Sequence, residues 1–170
     1  HDPVLMDVVA LNELAVKAQG VSVVRIRVEA EGDLLGEFDC DGVVVATATG
    51  STAYALSAGG PPIDPRVRAL VVVPLAPHAV ITRGVVIPEA LAVTICTRRG
   101  RVNAAADRRP EVALPDGARL TVRAGPDLHV VRFTGAPTFL GRLREKLHFG
   151  MPLKGPDRLG RTTDPSGGPT

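Results

Sequence analysis

Aromatic residues are scarce in this chain of 170 residues, which contains no Trp, one Tyr and four Phe. A buried core must therefore be built from Val, Leu, Ile and Ala, and the hydrophobic fraction of 45% is ordinary for a globular protein. The length fits one domain with a sizeable core. Because Tyr54 is the only Tyr and adjoins a glycine turn, it is a stronger candidate for a functional role than a Tyr among many would be.

A charge excess and a long apolar run are also lacking. Lys and Arg number 20 and Asp and Glu 18, and the basic residues are spread along the chain, which argues against nucleic acid or an anionic membrane as a partner. No apolar run approaches the ~18 residues of a membrane span, and we expect no signal peptide. Since the chain begins with His1 rather than Met, we expect a fragment, a processed chain or an engineered one.

Cysteine and histidine do not have the spacing of a metal site. Cys40 and Cys96 form no C-x-x-C pair, and the four His do not cluster with them. We therefore expect two reduced core thiols, a cytoplasmic location and no metal site in this chain.

The sequence does contain a series of short apolar segments separated by Gly and Pro. This pattern predicts a mainly β fold, an antiparallel-rich β-sandwich with a few short helices. We expect a β-rich domain over residues 1–149 and a disordered Gly- and Pro-rich tail over residues 150–170. Helices are predicted at residues 54–57 and 139–147, and strands at residues 8–17, 21–30, 34–40, 43–46, 69–74, 80–81, 85–87, 91–97, 102–106, 111–114, 119–124 and 128–133.

The segment that organises the chain is residues 47–54, Thr-Ala-Thr-Gly-Ser-Thr-Ala-Tyr, which follows the apolar strand 43–46. Ser51 or Thr52 is expected to cap the short helix that comes next. The glycine turn and its hydroxyls gather groups that can hold a polar ligand, although no Lys follows the glycine as it does in a Walker loop. The alternative is a well-capped strand-to-helix turn without a ligand.

Together with Asp41-Gly42 before it and Leu-Ser-Ala-Gly-Gly-Pro after it, this segment resembles the second signature of the NAD kinases. That family usually has Pro at the position of Ala48. The pair Asn12-Glu13 resembles the family's Asn-Glu motif, and Pro74 to His78 resembles its Pro-x-x-Pro-His segment. The resemblance extends from about Ala10 to Lys146.

The resemblance implies the C-terminal, NAD-binding and oligomerisation domain of an NAD kinase, an enzyme that phosphorylates the 2′-hydroxyl of NAD to make NADP. It also implies a homo-oligomer, a dimer or tetramer, in which the nucleotide is shared between subunits. A first set of residues would contact it from one protomer and a second set from the neighbour. The first set is Asn12, Glu13, Thr52, Ala53, Tyr54, Ser57 and Asp107, and the second is Asp41, Ala76 and His78. Thr49 is a further candidate contact for the nucleotide.

The family's catalytic Gly-Gly-Asp-Gly segment belongs to an N-terminal α/β domain, and no Gly-Gly-Asp occurs in this sequence. The resemblance therefore implies no catalytic residue in this chain, which we expect to be inactive alone. The complete enzyme would use ATP or polyphosphate as donor, with Mg²⁺ or another divalent cation.

Two other functions fit the same residues. The chain could be a non-catalytic nucleotide-binding or oligomerisation module derived from the NAD kinases. A hydrolase built from Ser51, His78 and Asp41 is the weaker alternative, because no G-x-S-x-G elbow is present. Considered singly, Asp41 and Asp107 are also typical turn residues, and Tyr54 could be a core aromatic.

Overall fold

Ten β-strands and two α-helices form the regular structure of residues 6–79 and 82–150, which are the residues that the computed structural model describes. The strands are β1 (Glu13–Ala18), β2 (Val24–Ala30), β3 (Asp33–Cys40), β4 (Gly42–Thr47), β5 (Ala69–Leu75), β6 (Val85–Pro88), β7 (Val93–Arg99), β8 (Val102–Ala106), β9 (Val112–Leu114) and β10 (Arg119–Val122). The helices are α1 (Tyr54–Ser57) and α2 (Phe139–Leu147), and a 3₁₀ turn at Gly50–Thr52 precedes α1.

The strands form two sheets, and all of the strand pairs found in the described residues are antiparallel. The larger sheet has the order β6-β5-β4-β1-β8-β9, and the smaller has the order β10-β7-β2-β3. The mainly β, antiparallel-rich sandwich predicted from the sequence is therefore confirmed.

The main core lies between the two sheets. Apolar and charged residues alternate along β2, so Val24, Ile26 and Val28 all face inward and are fully buried. They pack with buried residues of the larger sheet such as Val43 and Val45. This alternation was the sequence signal for β2, and it places the charged side chains of the strand on the outer face.

A second apolar cluster covers the opposite face of the larger sheet. Val44 of β4 and Val71 and Val73 of β5 pack there with Ala55 and Ile63 from the segment between these strands. Strands β4 and β5 are thus buried on both faces, which is why their sequences are apolar without alternation. The segment that covers them begins with the glycine turn, so the turn is held against the sheet.

Several predicted element boundaries were wrong. Residues 8–12 are not part of β1, which begins at Glu13. The N–H groups of Leu11 and Asn12 donate to the carboxylate of Asp107 instead of to a neighbouring strand. The strand predicted at residues 119–124 ends at Val122. The strand predicted at residues 128–133 is absent from the described structure, and its apolar side chains Val131 and Phe133 are 84% and 83% exposed. The short strand predicted at residues 80–81 lies outside the described residues.

The chain divides between His129 and Val130 into two compact units. All ten strands belong to the first unit and α2 belongs to the second. Helix α2 confirms the predicted helix at residues 139–147; the hydroxyl of Thr138 caps it by accepting the N–H of Gly141 at 3.1 Å. Apart from Gly150, the predicted tail lies outside the described residues. Neither described helix is long and apolar enough to cross a membrane.

Candidate functional site

Three neighbouring strands of the larger sheet end at one place, where β4 and β8 finish and β1 begins. Asp107 directly follows β8 there, and its carboxylate accepts three backbone N–H groups from the chain that leads into β1. One oxygen, Oδ2, lies 2.8 Å from the nitrogen of Leu11, and Oδ1 lies 2.7 Å and 3.1 Å from the nitrogens of Asn12 and Glu13. Asp107 therefore fixes the backbone of the predicted Asn-Glu motif.

The end of β4 holds the same backbone from the other side. The N–H of Thr47 donates to the carbonyl of Asn12 and its hydroxyl donates to the carbonyl of Leu11, both at 2.8 Å. The N–H of Gly50 donates in turn to the Thr47 hydroxyl at 3.0 Å. The glycine turn is thus joined through Thr47 to the chain that carries the Asn-Glu motif.

Glu13 is half-buried at this junction, and its Oε2 atom is buried without a hydrogen-bond partner in the described structure. Burial is the main reason why the pKa of Glu13 is raised, and the negative charge of Asp107 raises it further. A backbone hydrogen bond from Tyr54 and the charge of Arg108 act in the opposite direction. The site therefore presents a carboxyl group with an unused acceptor, close to the start of α1.

A cleft of about 1080 Å³ opens beside this carboxyl group. Asn12, Glu13 and Thr47 line part of it, and residues 6–10 and 114–125 supply most of the rest. Tyr54, which stands at the beginning of α1, is 37% exposed rather than buried in the core. The prediction that Tyr54 is available to a ligand is compatible with that exposure.

The hydroxyls of the glycine turn divide into two groups. Ser51 is fully buried, and its Oγ donates to the carbonyl of Ala48 at 2.7 Å and accepts the N–H of Ile63 at 2.8 Å. The expectation that Ser51 or Thr52 caps α1 was wrong: Ala53 is the N-cap residue, and no side chain caps that helix. Exposed hydroxyls remain at Thr49, Thr52 and Ser57.

The second predicted set lies where β4 begins. The carbonyl of Asp41 accepts the N–H of Ala18 at 2.8 Å, and the N–H of His78 donates to the carbonyl of Asp39 at 2.7 Å. Ala76, between β5 and His78, has a left-handed backbone with φ of 42°, which is unusual for a residue other than glycine. The side chains of Asp41 and His78 are exposed.

The two sets therefore stand at opposite ends of one strand. β4 has six residues, Gly42–Thr47, so its ends are about 17 Å apart at the usual rise of a strand. The structure brings Asn12, Glu13 and Asp107 together but leaves Asp41 and His78 away from them. The predicted Ser-His-Asp hydrolase site is not assembled either. Ser51 lies past the far end of β4 from Asp41 and His78, and its hydroxyl already makes hydrogen bonds with the backbone.

Neither titratable clusters nor cysteines offer further chemistry in the described part of the chain. Within residues 6–79 and 82–150, no group of three or more His, Cys, Asp and Glu could hold a metal ion. Both cysteines are free and buried, and burial raises the pKa of Cys40 to about 11.

Sequence reasoning missed the part that Thr47 plays. Local sequence shows only that Thr47 ends an apolar strand three residues before a glycine. Its partners Asn12 and Leu11 are 35 and 36 residues away, so the pattern around Thr47 does not reveal them. It also treated Asp107 as a ligand residue or a turn former, whereas the carboxylate holds a distant backbone segment.

The sequence is similar to those of known proteins. Residues 11–132 match the family of ATP-NAD kinase C-terminal domains. The NAD kinase of Leifsonia xyli subsp. xyli is 42% identical over 156 residues, covering 87% of this chain and 50% of that protein. The chain spans about half the length of the curated relatives it matches.

Solved structures agree as well. The NAD kinase of Archaeoglobus fulgidus, crystallised in complex with ATP, has a TM-score of 0.62 and 30% identity, over 67% of this chain and 45% of that one. Yeast NADH kinase, complexed with NADH, shares the fold with a TM-score of 0.74 and 24% identity, over 85% of this chain and 46% of that one. The resemblance to the NAD kinases is confirmed, and this chain belongs to the ATP-NAD kinase C-terminal domain family.

Proposed function

We propose that this chain is the NAD-binding half of an NAD kinase, and that the junction of β1, β4 and β8 holds part of the dinucleotide. The unpaired Oε2 of Glu13 carries the proposal. A buried carboxylate oxygen without a hydrogen bond is unfavourable, because it has lost hydration and gained no partner. A hydroxyl group of a bound ligand would supply the missing donor.

The residues around Glu13 fit a nucleoside. A carboxylate and the amide of Asn12 suit the hydroxyls of ribose, and acidic residues bind ribose in the same way in dinucleotide-binding folds. The partly exposed ring of Tyr54 suits a flat base, because aromatic rings stack on one another. Further contacts in this proposal come from Thr49, Thr52, Ala53 and Ser57.

The complete protein would transfer a phosphoryl group to the 2′-hydroxyl of NAD. The hydroxyl oxygen bonds to the terminal phosphorus of ATP or polyphosphate, and the hydroxyl proton passes to a base. The bond from that phosphorus to its bridging oxygen breaks, so ADP or the shortened polyphosphate leaves. The ATP bound to the Archaeoglobus fulgidus relative supports ATP as a donor. Mg²⁺ or another divalent cation would neutralise the donor phosphates.

No residue of this chain is assigned as the base. The purified 170-residue chain should therefore form no NADP from NAD, ATP and Mg²⁺, whereas the complete protein should form it. NADP made by the chain alone, measured by an enzymatic cycling assay, would contradict this part of the proposal and direct attention to Asp41 and Asp107. A complete protein that binds NAD and makes no NADP would instead favour the non-catalytic module.

The nucleotide would be shared between two copies of the chain in a dimer or tetramer. One protomer would supply the residues around Glu13, and its neighbour would supply Asp41, Ala76 and His78. The separation of about 17 Å between the ends of β4 is compatible with this, because the two sets do not form one contiguous cluster within a chain.

The direct test of the NAD site is Glu13→Ala in the complete protein, with NAD affinity measured by calorimetry. Loss of a hydrogen bond to a charged group costs about 1.5–3 kcal/mol, which lowers affinity roughly 10- to 150-fold. Glu37→Gln, at an exposed position on β3, is the matched control and should bind NAD normally. A Glu13→Ala protein with normal affinity and much lower thermal stability would show that Glu13 is only structural.

A further inference from the structure

We propose that Asp107 is a positioning residue for the nucleotide site: it holds the Asn12-Glu13 segment in place and sets the charge around Glu13, rather than touching the nucleotide itself. This inference rests on the proposed function, because it concerns how Glu13 is presented to NAD. It replaces the direct contact that the resemblance implied for Asp107.

The hydrogen bonds of Asp107 leave its carboxylate little capacity for a ligand. Oδ1 accepts two N–H groups and Oδ2 accepts a third, at distances from 2.7 to 3.1 Å. Three N–H donors converging on one carboxylate stabilise its charged form. Both oxygens therefore face the backbone of residues 11–13.

The backbone conformation of Asp107 also favours its contact with residues 11–13. Its φ is 52°, a left-handed conformation that Asp and Asn tolerate better than most residues. Its own N–H donates to the carbonyl of Glu13 at 2.9 Å, so the two residues are linked in both directions. This link continues the register of β8 and β1, in which Ala106 pairs with Leu14.

The segment before β1 depends on this contact because it has no strand partner of its own. Leu11 and Asn12 precede the first paired residue, Glu13, and their N–H groups go to Asp107 while their carbonyls go to Thr47. Without the carboxylate, the N–H groups of this segment would lose the hydrogen bonds that they donate to Asp107. The direction of the Asn12 and Glu13 side chains would then be less well defined.

Asp107 also acts on Glu13 through its charge. This electrostatic effect allows a positioning role in NAD binding to be distinguished from structural support alone. The groups that act on Glu13 are the carboxylate of Asp107, the guanidinium of Arg108 and a backbone hydrogen bond from Tyr54. Arg109 acts on Asp107. Burial alone would raise the pKa of Asp107, but the three N–H groups and Arg109 outweigh it, so its pKa is lowered and it is ionised at neutral pH.

The sign of the pH effect follows from these charges. Glu13 accepts hydrogen bonds from ribose best as a carboxylate, so NAD affinity should fall as the pH drops through the pKa of Glu13. Asp107 raises that pKa through its negative charge. Replacing Asp107 by a neutral side chain should therefore move the midpoint of the affinity loss to lower pH.

The experiment compares Asp107→Asn and Asp107→Ala with the unmodified complete protein, by NAD calorimetry from pH 4, below the ordinary Glu pKa of 4.5, to pH 9. Asn keeps one acceptor oxygen and tolerates the left-handed backbone, whereas Ala has no acceptor. At pH 8 we expect a small loss of affinity for Asp107→Asn and a loss of about tenfold or more for Asp107→Ala. Both variants should shift the pH midpoint downward.

Hydrogen exchange of the amides of residues 11–13, measured without nucleotide, gives a second readout. Exchange should be markedly faster in Asp107→Ala than in Asp107→Asn. If Asp107→Ala does not fold, the pH midpoint and exchange rates of Asp107→Asn still decide the question.

Two outcomes would overturn the inference. If Asp107→Asn weakens binding with an unchanged pH midpoint and unchanged exchange, Asp107 is a direct ligand. If it changes neither affinity nor midpoint while Glu13→Ala still weakens binding, Asp107 has no role and the proposed NAD site stands. Normal binding by Glu13→Ala would instead reject the proposed site itself.

Discussion

Gly50 lies so close to Asn12 that a Cβ atom built on Gly50 would be 2.0 Å from the Asn12 carbonyl oxygen. Real Cβ atoms do not approach backbone oxygens so closely, and the obstacle is main chain rather than a flexible side chain. The glycine turn and the Asn-Glu segment are therefore fitted to each other. The site depends on that fit, because the turn leads directly into Tyr54.

Gly50→Ala should consequently destabilise the protein and weaken NAD binding together. Overpacking of this kind typically costs about 1–3 kcal/mol, which urea denaturation can measure. Gly125→Ala is the control for stability alone, since its Cβ would meet only Val9, at an ordinary 3.7 Å. Equal stability of the two variants would mean that the turn can move away from Asn12 at little cost.

Ser51→Ala tests whether this hydroxyl serves the fold. The substitution leaves the buried N–H of Ile63 without its acceptor, so we expect a loss of about 1–3 kcal/mol in unfolding free energy. Ser22→Ala is the control, because the Ser22 hydroxyl donates to a backbone carbonyl at 3.1 Å but is exposed. Labelling of Ser51 by a fluorophosphonate probe, which requires an activated serine, would contradict the structural role.

The thiols should be unreactive in the folded protein. Cys40 is fully buried and its pKa is raised to about 11, so almost none of it is thiolate at pH 8. Cys96 is 5% exposed. A chromogenic disulfide reagent at pH 8 should modify both cysteines rapidly in denaturant and slowly without it. Rapid modification of one thiol in the native protein would show that its strand opens readily.

The sequence was most informative where the order of apolar and charged residues reflects which side chains are buried. The alternation in β2 and the unbroken apolar runs of β4 and β5 predicted which faces are covered, because burial selects side chains residue by residue. The helix at residues 139–147 was visible for the same reason. The fold class could therefore be derived from local pattern.

Contacts between distant residues were the part that local pattern could not supply. Asp107 lies 94 to 96 residues from the N–H groups it binds, and Ser51 lies 12 residues from Ile63. The same limit explains the strand wrongly expected at residues 128–133: its composition suits a strand, but pairing requires a partner that composition does not reveal. The motif resemblance supplied the candidate site residues, and the contacts distinguish Asp107, whose carboxylate binds the backbone of residues 11–13, from Glu13, whose Oε2 has no partner in the described structure.

The last prediction concerns the proposed sharing of the site between subunits, in which Glu13 and Asp41 lie at opposite ends of β4 within one chain. In the proposed dimer, Glu13→Ala damages each site from one side and Asp41→Ala damages it from the other. The two variants are assayed at an NAD concentration low enough that each alone is inactive. After subunit exchange between them, a mixed dimer contains one doubly damaged site and one intact site. Activity should return to about a quarter of the unmodified level, since half the dimers are mixed and half of their sites are intact.

Exchange itself must be verified independently, for example by energy transfer between labelled subunits. Recovery should follow the rate of that exchange, because each intact site appears only when two different protomers meet. Two copies of the same variant, mixed under identical conditions, provide the control and should remain inactive. Proven exchange without any recovery would mean that each site is built within one chain, and that Asp41 and His78 act elsewhere.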